Sequence, residues 1–221
     1  MRLKPVLYGL AGIAFVFVLG IVAIQQIGRD KENYTLPEIK ETSPESLRET
    51  IEGIFKTSSL PEDEEVEFLI WLYEEHPQTA DDVIRDFGPN VPALPGWMRD
   101  AAWKLIRSED AGPAIPMMGT AAEIFPNDPD ILGMQGIINV FAGRREIALK
   151  ILEQSALRQP DNPRVDFYLG GLLVMSDNIS ERSRGKTLLM KVLDSDESEL
   201  PELAGFILLS NLTIPLIESE L

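Results

Sequence analysis

The stretch that decides the fold is "PNDPDILGMQGIINVFAGRREIALKILEQSALRQPDNP", residues 126–163. It opens and closes on a proline pair, and the pairs are 34 residues apart: Pro126 with Pro160, Pro129 with Pro163. Proline lacks an N–H and disfavours the α region in the residue before it, so such a pair ends one helix and starts the next. The schedule extends beyond this stretch. One series runs Pro92, Pro126, Pro160; the other runs Pro61, Pro95, Pro129, Pro163, and "PALP" at 92–95 is its earlier joint. Self-similarity at this period predicts stacked two-helix hairpins.

Other positions keep the same step. Counted from each proline of the second series, the eighth residue is Phe68, Ala102, Gly136 and Gly170, and the twentieth is Ala80, Ala114 and Ala148. Small side chains there let the two helices of a hairpin approach closely, and Phe68 is the exception. The twenty-fourth residue is always apolar: Ile84, Met118, Leu152. The fourth unit takes about three extra residues, within "SDNISERSRG", before Gly185, Leu189 and Val192 resume the pattern of the second helix.

With small residues at these two positions and a closing proline, the pattern resembles the tetratricopeptide repeat family. The third unit carries it most fully, in Gly136, Gly143, Ala148, Leu152 and Pro160. Leu132 and Asp166 stand where the family has an early aromatic residue, and the later aromatic survives only as Trp71. The resemblance covers residues 61–199. It implies an all-α fold, an α-α hairpin superhelix with units near 61–94, 95–128, 129–162 and 163–199. Flanking helices at 44–56 and 202–217 complete a repeat domain over 44–221. In the first, "SPESLRETIEGIF" offers a capping Ser43 and a stripe of Leu47, Ile51, Ile54 and Phe55. In the second, "ELAGFILLSNL" is apolar on nearly every side, whereas the last helix of a stack ordinarily shows a polar outer face.

Ahead of this domain, Val6–Ile24 is a run of 19 uncharged residues, nearly enough for a hydrocarbon core of about 30 Å. It is longer than the apolar core of a cleaved signal peptide, and no A-x-A box follows. The expectation is an uncleaved, single-pass signal anchor within residues 1–28 and a polar tether over 29–43. Arg2 and Lys4 precede the run, which places the N-terminus in the cytoplasm and the repeat domain outside it, in the periplasm of a Gram-negative cell.

Charge narrows the partners. The chain carries −16 overall, and residues 32–221 hold 16 of the 20 basic and 35 of the 36 acidic residues, a balance of −19. Such a surface repels phosphate backbones, which argues against nucleic acid and favours a basic partner. With no cysteine and a single histidine, His76, thiolate chemistry and multi-histidine metal sites have no residues to use. "DSDESE" at 194–199 lacks the glycine and bidentate glutamate of a calcium loop. No nucleophile elbow, phosphate loop or paired-carboxylate setting stands out, so the expectation is a non-enzyme with no cofactor and no metal.

In the resembled family the first helix of each unit lines a concave groove. Carried onto this chain, that face holds Leu69, Arg99, Trp103, Ile137, Arg164 and Phe167. The functional expectation is a groove for an apolar helix or extended segment of a protein partner, with Trp103 and Phe167 as anchors. Aromatic residues at helical spacing equally suit packing between repeats. The chain then reads as a membrane-anchored scaffold in envelope protein biogenesis or complex assembly. The alternative is a self-assembling envelope component that oligomerises through the apolar helix at 203–217, and that helix is also a candidate to occupy the chain's own groove.

Overall fold

The computed structural model describes residues 44–57, 62–108, 111–197 and 199–218. The expected anchor at 6–24 and the tether at 29–43 lie outside these residues. Every regular element among them is helical: ten α-helices and one 3₁₀ turn, packed as sequential pairs. No helix of the described residues is long and apolar enough to cross a membrane. Between Pro160 and Asp161 the chain divides into two compact units.

The unit ending at Pro160 contains α1 (Pro44–Thr57), α2 (Glu62–Glu75), α3 (Pro77–Phe87), α4 (Leu94–Arg107), α5 (Ala114–Ile124), α6 (Pro129–Phe141) and α7 (Arg145–Arg158). Gly88–Asn90 forms the 3₁₀ turn after α3. Helices α2, α4 and α6 lie side by side in one row, and α1, α3 and α5 in another. Each expected hairpin is present: α2 with α3, α4 with α5, α6 with α7. The apolar stripe of α1 is buried through Leu47, Ile51 and Phe55, one residue per turn.

The small-residue positions explain the pairing. Ala80, Ala114 and Ala148 are completely buried, as are Ile84, Met118 and Leu152 four residues on. A Cβ on Gly136 would stand 2.7 Å from the Leu152 side chain, so only glycine lets α6 and α7 close at that point. The turn between them needs a second glycine for a different reason: Gly143 has φ +70°, where a Cβ is strained. The second hairpin departs from the schedule. Its second helix opens at Ala114 itself, whereas Ala80 and Ala148 each lie one turn inside theirs.

The prolines do not all act alike. Pro129 follows Asp128, whose carboxylate accepts from the N–H groups of Asp130 (2.9 Å) and Ile131 (3.1 Å). Pro163 follows Asn162, which accepts in the same way from Arg164 and Val165. "PNDP" and "PDNP" thus combine a capping acceptor with a proline suited to the first turn. "PALP" has Ala93 at the cap position and no side-chain bond. The joint at α4 accordingly lacks a side-chain cap and is closed by backbone bonds, with the Leu94 N–H donating to the Val91 carbonyl at 3.1 Å.

The unit from Asp161 contains α8 (Pro163–Val174), α9 (Ile179–Val192) and α10 (Leu200–Glu218). Helices α8 and α9 form the most extensive interface of the unit, and α10 packs against both. Asn178 caps α9 by accepting from Ser180 (2.8 Å). The longer connection expected from "SDNISERSRG" delivers Gly185 to the crossing. A Cβ there would meet the Val174 nitrogen at 2.7 Å and the Gly170 oxygen at 2.8 Å, both backbone atoms. Val174, Leu189, Val192 and Ala204 form the core, with Phe167, Met175, Leu200, Ile207 and Leu208 packed against it. The flanking helices expected at 44–56 and 202–217 match α1 and α10 to within two residues.

Candidate protein-binding surfaces

Four of the six groove candidates fall in the unit ending at Pro160. Leu69 is fully buried and Ile137 nearly so. Neither presents a side chain that a partner could touch. Trp103 is half-buried on α4. Arg99, on the same helix, bonds Asp100 at 3.2 Å and reaches Asp130 on α6 at 3.5 Å. It therefore ties neighbouring first helices together as well as facing solvent.

The other two candidates lie in the unit from Asp161. Arg164 is paired with Glu197 at 3.2 Å. Phe167 meets Tyr168 edge to face, 5.1 Å between centroids, and packs on the core that Ala204 of α10 joins. One of the two aromatic anchors is thus used as packing inside this unit.

Two polar clusters, one inside each unit, are not revealed by repeat spacing. In the first, the buried Tyr73 hydroxyl of α2 donates to Asp81 on α3 at 3.2 Å, and the Thr120 hydroxyl of α5 donates to the same carboxylate at 2.5 Å. Burial, then the neighbouring Asp81 charge, hold the Tyr73 phenol well above its usual range, so it stays a donor. Arg85 on α3 adds a bond to Thr120 and an ion pair to Glu123. Because its members sit 8 and 39 residues apart, no periodic pattern flags this cluster.

In the second, Asp166 on α8 is buried and accepts from Lys191 on α9 at 3.0 Å, while Lys191 also pairs with Asp161. The two carboxylates, Asp161 foremost, raise the Lys191 ammonium above its ordinary value. A buried carboxylate, charge-paired with the exposed Lys191 ammonium, therefore occupies the place where the resembled family has an aromatic residue. His76 is the residue joining α2 to α3, its ring 5.2 Å from that of Trp71. Among the described residues no three His, Asp or Glu side chains converge as metal ligands would.

What remains accessible and apolar is concentrated late in the chain. Met190 is 60% exposed and Leu193 42% on or just beyond α9, and Phe206 is 47% exposed on α10, where Leu209 is exposed as well. The inner side of α10 is the packed one, through Leu200, Ala204, Ile207 and Leu208. The missing polar face noted in the sequence is thus an exposed apolar face in the structure. Comparison of the chain with protein-family models, curated proteins and solved structures gives no match.

Proposed function

We propose that this chain is a tetratricopeptide-like scaffold, held at a membrane by its N-terminal segment, whose helical hairpins bind a protein partner outside the cytoplasm. The observation that carries the reading is the hairpin series in which Ala80, Ala114 and Ala148 are buried at one fixed step. Repeated hairpins of this kind present one row of helices as a continuous surface, which suits recognition of another chain. Half-buried Trp103 and Arg99 on α4 supply an aromatic and a cationic point on that row. The strongly acidic balance favours a basic partner over nucleic acid. The roles expected are assembly or biogenesis of envelope proteins, with no chemical step assigned to the chain.

Two measurements test this. Alkaline extraction should leave the full chain in the membrane pellet and release a chain lacking residues 1–28. A photo-crosslinker at Trp103 in intact membranes should give a discrete protein adduct that the same group at exposed Lys150 does not. Release of the full chain, or identical labelling at both positions, would overturn the proposal.

A further inference from the structure

We infer that the apolar end of the unit from Asp161, formed by Met190, Leu193 and Phe206, receives an amphipathic helix of a partner protein whose apolar stripe is flanked by Lys or Arg. The inference rests on the scaffold reading and names the partner chemistry for one surface of it. Met190 and Leu193 are three residues apart, so they share one edge of α9 as it runs into its final turn. A Cβ built on Gly205 would lie 3.6 Å from Leu193, which brings α10 against that edge. Phe206 follows directly.

Charge selects the occupant. Asp194, Asp196, Glu199 and Glu202 are all exposed along the segment that joins Leu193 to Phe206. Of the nearby cations, Lys191 is already engaged by Asp161 and Asp166, and Glu197 is met by Arg164. The rim is therefore acidic in a chain of net charge −16. A second copy would bring this acidic rim against itself, and an anionic lipid surface would be repelled by it. A helix with an apolar stripe and basic flanks satisfies both the patch and its rim.

The test uses the full chain in nanodiscs of phosphatidylcholine and a fluorescent peptide of about 18 residues, with Leu along one helical stripe and Lys elsewhere. A Leu/Glu peptide of identical pattern and a scrambled Leu/Lys peptide serve as controls. The Leu/Lys helix should bind unchanged discs at least about tenfold more tightly than discs carrying Met190→Ser with Phe206→Ser, and about tenfold more tightly than either control binds. Salt at about 0.5 M should weaken it several-fold. The exposed pair Asp194→Lys with Glu202→Lys, which leaves the core intact, should reverse the preference towards Leu/Glu. Equal binding by the serine variant, by the scramble or by Leu/Glu would overturn the inference. So would self-association of the chain through Phe206, or binding to discs with added anionic lipid that Phe206→Ser removes. Loss of this result with the Trp103 adduct retained defeats the inference alone; loss of the adduct defeats the scaffold reading itself.

Discussion

The first hairpin, α2 with α3, and the last, α8 with α9, are laid out on one proline schedule yet close in different ways. At the crossing of the last, Gly170 faces Gly185 so closely that an added Cβ at Gly185 would touch backbone. At the corresponding place in the first stands Phe68, 1% exposed, its ring stacked at 5.9 Å on Trp71. The interface within a hairpin grows along the chain as this residue shrinks from Phe68 through Ala102 to Gly136 and Gly170. Two helices can therefore be joined by removing side chains at their crossing or by filling the gap with one large ring. The filled version depends more on its neighbours, which is where the Tyr73–Asp81–Thr120 cluster ties α2 and α3 to α5.

Truncation tests the contrast most strongly. Phe68→Ala should cost about 4 kcal/mol, because it empties the first crossing without letting the backbones meet. Urea unfolding followed by tryptophan fluorescence reads this directly, since the Phe68 ring lies on Trp71. At the other crossing the opposite change does the harm: Gly185→Ala should cost about 3 kcal/mol, since the atoms in the way are backbone and cannot rotate aside. Gly171 sharpens the comparison. It is helical, adjacent to Gly170, and a Cβ there meets nothing within 4 Å. Gly171→Ala should stabilise by up to about 1 kcal/mol through helix propensity.

Smaller effects follow from the joints and the buried phenols. Asp128→Ala should cost about 1 kcal/mol, with the loss at the start of α6, whereas Ala93→Asp should recover little, because Ala93 has helical backbone (φ −82°, ψ −16°) and Asp128 is extended; thermal melts of both variants check this. Tyr73 and Tyr168 are both pushed up by burial. Folding therefore favours their neutral forms, and this contribution is complete below the unfolded phenol value of about 10 and is lost as pH rises above it. Stability measured against pH should fall on that alkaline side, and the Tyr73→Phe, Tyr168→Phe double variant should flatten the fall.

The helices were legible because proline and small-residue positions constrain the backbone locally. Pro129 with Asp128 announces a helix start, and Gly136 with Leu152 announces a crossing. The late start of α5 at Ala114 was not legible, because Ala114 keeps its place in the count while the helix boundary moves past it. The groove was only partly legible. Position within a helix says that Leu69 and Ile137 share a side with Trp103, but burial depends on how neighbouring helices pack, and in the structure both are buried while Trp103 is half-buried. The polar clusters were invisible because Asp81 meets Thr120 only after two hairpins have stacked. The apolar character of 202–212 was plain in the sequence; which side stays exposed was not, since that depends on the face α10 turns to Val174, Leu189 and Val192.

The claim that small residues at the crossing close these hairpins is tested most directly by amide hydrogen exchange across residues 163–192 in Gly185→Ala and Gly171→Ala, measured against the unchanged chain. Protection should drop by about two orders of magnitude in Gly185→Ala, the exchange equivalent of about 3 kcal/mol, and should hold or rise in Gly171→Ala. Equal protection in the two variants would contradict it.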